Sequence, residues 1–158
     1  MNMFLDAHSK LIRELLKNEV EFIIIGGYAV IHHGYKRTTG DLDIWLKPDN
    51  NHKNNLVSAL RSVGIQKQGL DELISIDFEK KVVFTIWEPP EQVDFLTHIN
   101  NLEFEYASRR KILVKLDNLK VPFLNVQDLI VSKMSTDRYK DKADIEELQK
   151  IIRLKNRK

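Results

Sequence analysis

The sequence contains no cysteine, only 6 glycines and 4 prolines, and no apolar run long enough to cross a bilayer. The absence of cysteine excludes disulfides, thiolate zinc sites and a cysteine nucleophile. A large excess of one sign of charge is also lacking, because there are 25 basic and 23 acidic residues and the net charge is only +2. This balance does not by itself favour a nucleic acid or an anionic membrane as a partner.

The first ten residues, Met1–Lys10, place Asp6, His8 and Lys10 among their apolar side chains. This pattern is not that of a signal peptide. We therefore expect a soluble cytoplasmic protein with no membrane partner. The length of 158 residues predicts one domain over 1–158, with a core over 20–100 and a C-terminal hairpin and helices over 110–155.

Apolar periodicity predicts the order of the elements. Helical spacing predicts helices over Phe4–Lys17, Tyr28–His33, about 50–63, and two more after a cap at Asn125. Alternation or short apolar runs predict strands over Glu21–Ile25, Asp41–Lys47, Leu73–Phe78, Lys81–Trp87, Gln92–Thr97, Lys111–Lys115 and Lys120–Leu124. The predicted fold is mixed α/β (α+β), with a central mixed sheet flanked by helices and followed by C-terminal helices.

Asp41 and Asp43 lie two positions apart on a predicted strand, so both side chains point from the same face. Two neighbouring carboxylates repel each other, and a divalent cation between them removes that cost. Magnesium suits the pair, because it takes one or two protein carboxylates and completes its shell with water and phosphate oxygens. Taken alone, an Asp-x-Asp pair is more often a polar strand facing water.

Gly26 and Gly27 end the predicted strand Glu21–Ile25 and precede a short helix. Glycines there let backbone N–H groups approach a phosphate, although a plain strand-to-helix turn has the same composition. The Gly-Lys-Ser/Thr ending of a Walker loop is missing, and so is the third glycine of a dinucleotide-binding fingerprint. The combination is more specific, because Asp41-x-Asp43 opens the next predicted strand and would lie beside the glycine turn.

These motifs resemble the signature of the DNA polymerase β-like nucleotidyltransferases. The strings Ile24–Ala29, His33-Gly34 and Arg37–Ile44 are similar to one branch, the small bacterial AbiEii-toxin-like and minimal nucleotidyltransferases. Segments Gln92–Leu96 and Asp128–Ile145 match the branch's later strand and C-terminal helices. The chain departs from many superfamily members in having Gly26-Gly27 where they have Gly-Ser.

The resemblance implies an enzyme that moves a nucleoside monophosphate from a nucleoside triphosphate to a hydroxyl acceptor, which could be RNA, protein or a small molecule such as an antibiotic. It implies that Asp41, Asp43 and Asp94 hold Mg²⁺ or Mn²⁺ and carry the catalysis. Asp94 could also take the proton of the acceptor. Gly26 and Gly27 would seat the phosphates.

Four further residues are predicted to contact the nucleotide. Lys133 and Arg138 are candidates for phosphate contacts, with a solvated helix face as the equal alternative. Arg37 and Thr39 could orient the nucleotide or Asp43, although an arginine in this position is more often simply exposed.

Other polar residues receive more ordinary interpretations. His32 and His33 are interpreted as helix-end histidines that make one ordinary hydrogen bond. Lys140, Asp141 and Asp144 are expected to form surface ion pairs, and Trp45 and Trp87 to pack in the core or on the sheet. The basic tail Lys150–Lys158 is expected to be a solvated helix end.

Two alternatives to the transferase remain open. The chain could be a catalytically inactive nucleotide-binding partner or antitoxin, or a metal-dependent hydrolase that uses the same acids with water in place of the acceptor. As a transferase it could belong to a toxin–antitoxin or resistance system and bind an antitoxin partner or form a homodimer.

Overall fold

This computed structural model describes residues 3–157. They contain seven α-helices and six β-strands. The helices are α1 Asp6–Lys17, α2 Gly26–His32, α3 Lys53–Ser62, α4 Lys67–Ser75, α5 Phe104–Arg110, α6 Val126–Lys133 and α7 Tyr139–Asn156. The strands are β1 Phe22–Ile25, β2 Leu42–Leu46, β3 Val83–Ile86, β4 Val93–Leu96, β5 Ile112–Leu116 and β6 Leu119–Phe123. One 3₁₀ turn, Asn50–His52, precedes α3.

The strands form one mixed sheet in the order β3-β4-β2-β1-β6-β5. Strand β1 is antiparallel to β2 and parallel to β6, and β2 is parallel to β4. The edge strands β3 and β5 form antiparallel pairs with β4 and β6. This architecture confirms the predicted mixed sheet with flanking and C-terminal helices.

Strand β1 is central because all four of its side chains are apolar and buried. Its last residue, Ile25, pairs with Asp43 on β2, and α2 starts at the next position. The sheet therefore brings the glycine turn and the second aspartate of Asp41-x-Asp43 into direct proximity.

Period-two alternation gives β4 two different faces. Val93 and Phe95 are fully buried, and Phe95 stacks on Phe84 of β3 with ring centroids 4.9 Å apart. Helices α3 and α4 pack on this side, where they share a small cavity with Phe84. Asp94 is half-buried and points to the opposite face. The predicted opposition of Asp94 to its neighbours is confirmed.

From β5 onwards the chain follows the prediction closely. Strands β5 and β6 form the expected hairpin, and the Asn125 side chain caps α6 by accepting a hydrogen bond from the Asp128 N–H at 2.9 Å. Helix α6 packs on α7 and on α2. Within the described residues no helix is both long enough and apolar enough to span a membrane. Lys158, the end of the predicted basic tail, lies outside the described residues.

The predicted strand Leu73–Phe78 is wrong, because Lys67–Ser75 forms helix α4. Leu70 and Leu73 lie one turn apart and are both buried, which is helical spacing. Lys53 stabilises the end of this helix by donating to the carbonyl oxygens of Ile74, at 3.2 Å, and Ile76. Helix α5 was not predicted at all.

Candidate active site

The three predicted catalytic acids lie on neighbouring strands. Asp43 and Asp94 pair in the parallel register of β2 and β4, so their side chains share one face of the sheet. Asp41 immediately precedes β2. Nε2 of Gln92 donates to Oδ2 of Asp41 and to Oδ1 of Asp94, both at 3.1 Å, and so ties these two carboxylates together.

Asp94 is further fixed by Thr85 on edge strand β3, whose hydroxyl donates to its Oδ1 at 2.7 Å. Sequence reasoning missed both Thr85 and Gln92. The signal for Gln92 was present, because it lies two positions before Asp94 and alternation places it on the same face. Thr85 could be found only from the β3–β4 register, which pairs it with Asp94.

Asp43 is the most perturbed of the three acids. Burial first, and then the negative charges of Asp94 and Asp41, raise the pKa of Asp43 to about 7, while Lys133 and Lys140 act in the opposite direction. Within residues 3–157 no side chain makes a hydrogen bond or ion pair with this carboxylate. An unpaired, partly buried acid among like charges is the environment that a divalent cation relieves.

The glycine turn approaches Asp43 closely. Gly26 has φ +68°, a left-handed conformation that side chains rarely adopt, and a Cβ there would lie 2.2 Å from Oδ2 of Asp43. A Cβ at Gly27 would lie 2.1 Å from Oγ1 of Thr39 and 3.2 Å from Nη2 of Arg37. The space that a serine side chain at this position would need is therefore filled by Thr39.

A buried ionic network closes the side of the site next to Gly27. Asp144 is fully buried and binds Arg37 through both oxygens, at 2.9 Å to Nε and 3.1 Å to Nη2. Nζ of Lys133 lies 3.0 Å from Asp144 and 3.1 Å from Asp141. The Thr136 hydroxyl donates to Asp141 at 2.7 Å. The carboxylates of this network neutralise the two cations beside the site.

The network corrects three interpretations. Asp141 and Asp144 are buried and do not form surface ion pairs, because they face α6 and the Arg37 segment from the inner side of α7. Arg37 is not simply exposed, because its ion pair with Asp144 holds it and only 12% of its side chain is exposed. Lys133 is buried and not part of a solvated helix face, whereas Arg138 is 70% exposed and lies 3.8 Å from Asp141.

Other predicted assignments are also visible in the structure. Nε2 of His33 donates to the carbonyl oxygen of Leu124 at 2.9 Å, which is the ordinary hydrogen bond expected of a helix-end histidine. Trp45 packs in the core against Phe104. Lys140 is exposed, and its positive charge lowers the pKa of Asp43.

The described residues contain no group of three histidine, aspartate or glutamate side chains already positioned to hold a metal ion. The oxygen donors on β2 and β4 nevertheless fit a hard cation such as Mg²⁺, which needs only one or two carboxylates from the protein. Asp43 and Asp94 are the neighbouring pair that could supply them.

The mixed sheet with its flanking helices defines a nucleotidyltransferase fold, and two solved structures share it. One is the lincosamide antibiotic adenylyltransferase LnuA in its lincomycin-bound form, with TM-score 0.56, 14% identity and coverage of 94% of this chain and 98% of LnuA. The other is a candidate nucleotidyltransferase from Thermotoga maritima, with TM-score 0.50, 11% identity and coverage of 96% and 91%.

The chain belongs to the family described as nucleotidyltransferase of unknown function (DUF6036), whose model matches residues 3–155. No curated protein sequence matches the chain significantly. The predicted nucleotidyltransferase superfamily is thereby confirmed, and the chain is a nucleotidyltransferase. Its placement in the AbiEii-like branch stays a prediction.

Proposed function

We propose that this protein is a Mg²⁺-dependent enzyme that transfers a nucleoside monophosphate from a nucleoside triphosphate to a hydroxyl acceptor, with release of pyrophosphate. The observation that carries the proposal is the pairing of Asp43 with Asp94 in register, directly beside Gly26. Acids that can bind a metal and backbone N–H groups that can donate to phosphate oxygens meet there at one point.

Asp41, Asp43 and Asp94 would hold Mg²⁺, or Mn²⁺ in its place. The bound metal would neutralise charge on the phosphate oxygens during transfer. Asp94 would also accept the proton of the attacking hydroxyl, since its carboxylate is oriented by Thr85 and Gln92 and is only half-buried.

The phosphates would lie at the glycine turn. Gly26 and Gly27 carry no side chain, and their N–H groups belong to the first turn of α2, where backbone donors lack intrahelical partners. Thr39 and Arg37 border Gly27, and the positive charge of Lys133 lowers the pKa of Asp43. Arg138, 70% exposed beside Asp141, is the most exposed cation of the set and would contact a phosphate oxygen.

The test is incubation with Mg²⁺ and triphosphates labelled at the α-phosphate, with RNA, protein and small hydroxyl compounds such as lincosamides or aminoglycosides as separate acceptors. Label on an acceptor supports the proposal, and its loss in Asp94→Asn but not in Asp71→Asn, an exposed residue of α4, assigns the transfer to this site. Transfer should also stop when EDTA removes the metal.

Two other outcomes would contradict the proposal. Release of free labelled monophosphate without any acceptor would show hydrolysis. Binding of Mg²⁺ and triphosphate without turnover on any acceptor would show an inactive nucleotide-binding partner or antitoxin. The acceptor that is labelled would also decide between a toxin and a resistance enzyme, and co-purification with an antitoxin or a second copy would identify the partner.

A further inference from the structure

His8 places a polar side chain in the apolar stripe of α1. The stripe continues through Leu11, Ile12 and Leu15, and His8 is as fully buried as these three. A buried polar side chain destabilises a domain unless hydrogen bonds replace those that it made with water. The presence of histidine at this position is therefore not explained by packing.

The imidazole of His8 makes one hydrogen bond within residues 3–157. Its Nε2 lies 3.0 Å from the carbonyl oxygen of Glu91. A carbonyl oxygen can only accept, so Nε2 carries the proton and donates. Burial lowers the pKa of His8, so at pH 7 the ring is neutral and Nδ1 carries no proton. Nδ1 is buried without a partner among the described residues, which is a further cost to stability.

This hydrogen bond restrains the segment that orders the acids. The Glu91 carbonyl belongs to the planar peptide group that joins Glu91 to Gln92, so the bond limits the movement of the Gln92 backbone. The Gln92 side chain in turn donates to Asp41 and Asp94, at 3.1 Å in each case. His8 therefore acts on two of the three carboxylates through one intervening residue.

The same ring also contacts the helix that starts at the glycine turn. It packs edge-to-face on the ring of Tyr28, with an interplanar angle of 90° and centroids 6.0 Å apart. Tyr28 is buried and follows Gly26 and Gly27 directly in the first turn of α2. One buried side chain of α1 thus joins the backbone that precedes β4 to the helix whose first N–H groups face the proposed phosphate site.

We infer that His8 is a positioning residue, which holds the metal-binding carboxylates in place relative to the phosphate-binding turn. The inference rests on the proposed function, in which a metal bound by the acids must also reach the phosphate oxygens. Replacing a group that orients metal ligands from outside typically costs about ten- to a hundredfold in metal affinity or activity. We expect the lower end, about tenfold, because Gln92 lies between His8 and the carboxylates.

The test compares His8→Leu with His8→Gln in the intact protein. Leucine fills the position with an apolar side chain and removes the donor. Glutamine keeps it, because its Nε2 is as many bonds from Cβ as Nε2 of histidine. His8→Leu should keep or raise the melting temperature, yet bind Mg²⁺ about tenfold more weakly by calorimetry and lose about tenfold in kcat. His8→Gln should recover most of both losses without being more stable than His8→Leu.

Ile12→Val is the matched control, since Ile12 is buried one turn further along α1 and has no polar side-chain atom. It should lower the melting temperature slightly and leave Mg²⁺ affinity and kcat unchanged. If the wild type transfers nucleotides and His8→Leu keeps its Mg²⁺ affinity and kcat, the inference is overturned while the proposed function stands.

A purely structural role has a different signature. In that case His8→Leu loses Mg²⁺ affinity, kcat and melting temperature together, and His8→Gln recovers none of them, which also overturns the inference. If the wild type binds Mg²⁺ but transfers no nucleotide, the proposed function falls, and the Mg²⁺ affinities of the two variants still decide the inference. If the wild type binds no Mg²⁺, both proposals fall.

Discussion

Asp144→Asn should both destabilise the protein and weaken its use of triphosphate. The substitution keeps the size of the side chain and removes the charge that binds Arg37 and Lys133. Both cations are nearly buried, with 12% and 11% of their side chains exposed. Without Asp144, Arg37 loses its carboxylate partner and Lys133 keeps only Asp141.

The magnitude follows from the burial. Removing one partner of a buried ion pair typically costs about 3–5 kcal/mol, because the remaining charge is left uncompensated. We expect the lower end, about 3 kcal/mol, because Lys133 keeps Asp141 and water can reach the edges of both cations. In a domain of this length 1 kcal/mol shifts the melting temperature by about 2–4 °C, so the loss should be roughly 6–12 °C.

The assay is thermal and urea unfolding of Asp144→Asn beside Glu147→Gln, a second acid on α7. Glu147 pairs with Lys150 at 3.3 Å, with 37% and 51% of the two side chains exposed, so its loss should cost less than about 1 kcal/mol. KM for triphosphate should rise in Asp144→Asn and not in Glu147→Gln. Equal, small destabilisation of both variants would refute the view that Asp144 neutralises buried cations.

Further predictions concern the acids and the glycine turn. Gly26→Ala should abolish transfer, because its Cβ would displace the Asp43 carboxylate, whereas Gly64→Ala, with φ +93° and open space around it, should suffer only backbone strain of about 1–2 kcal/mol and keep its activity. The pKa of Asp43 is about 7, whereas the pKa of an ordinary aspartate is 3.8, so between these pH values the folded protein holds a proton that the unfolded chain has lost. The free energy of unfolding should therefore fall as pH rises from about 4 to about 7, and Asp43→Asn should flatten this slope in urea titrations. Mg²⁺ needs the ionised acid, so its affinity by calorimetry should increase up to about pH 7, and a pH-independent affinity would contradict this assignment.

Sequence patterns predicted the centre of the molecule better than its periphery. The β1 run, the alternation of β2 and β4 and the cap at Asn125 are local signals that tertiary packing reinforces. The strand prediction for Leu73–Phe78 was wrong because a short apolar run fits either a strand or a helix. Packing against α3 favours the helix, α4. Helix α5 has only 7 residues, too few to give a clear period.

The same distinction applies to the candidate site. The acids and glycines could be chosen from spacing, because each pattern lies within one or two elements. Asp144 could have been suspected, since it lies four positions before the buried Leu148 on the inner stripe of α7. Its partner Arg37 is 107 positions away, and no periodicity links the two.

The two sets of charges at the site differ in how the protein itself balances them. Arg37 and Lys133 are paired with Asp141 and Asp144, so this half of the site is nearly neutral before any ligand arrives. Within the described residues Asp41 and Asp94 receive only neutral donors, from Gln92 and Thr85, and Asp43 receives none. Burial first, and then repulsion from Asp94 and Asp41, raises the pKa of Asp43. A triphosphate without a cation would bring more negative charge next to these acids. A cation without a triphosphate would leave the phosphate-binding groups without a ligand. The arrangement therefore favours joint binding, and the affinity for triphosphate should depend steeply on Mg²⁺.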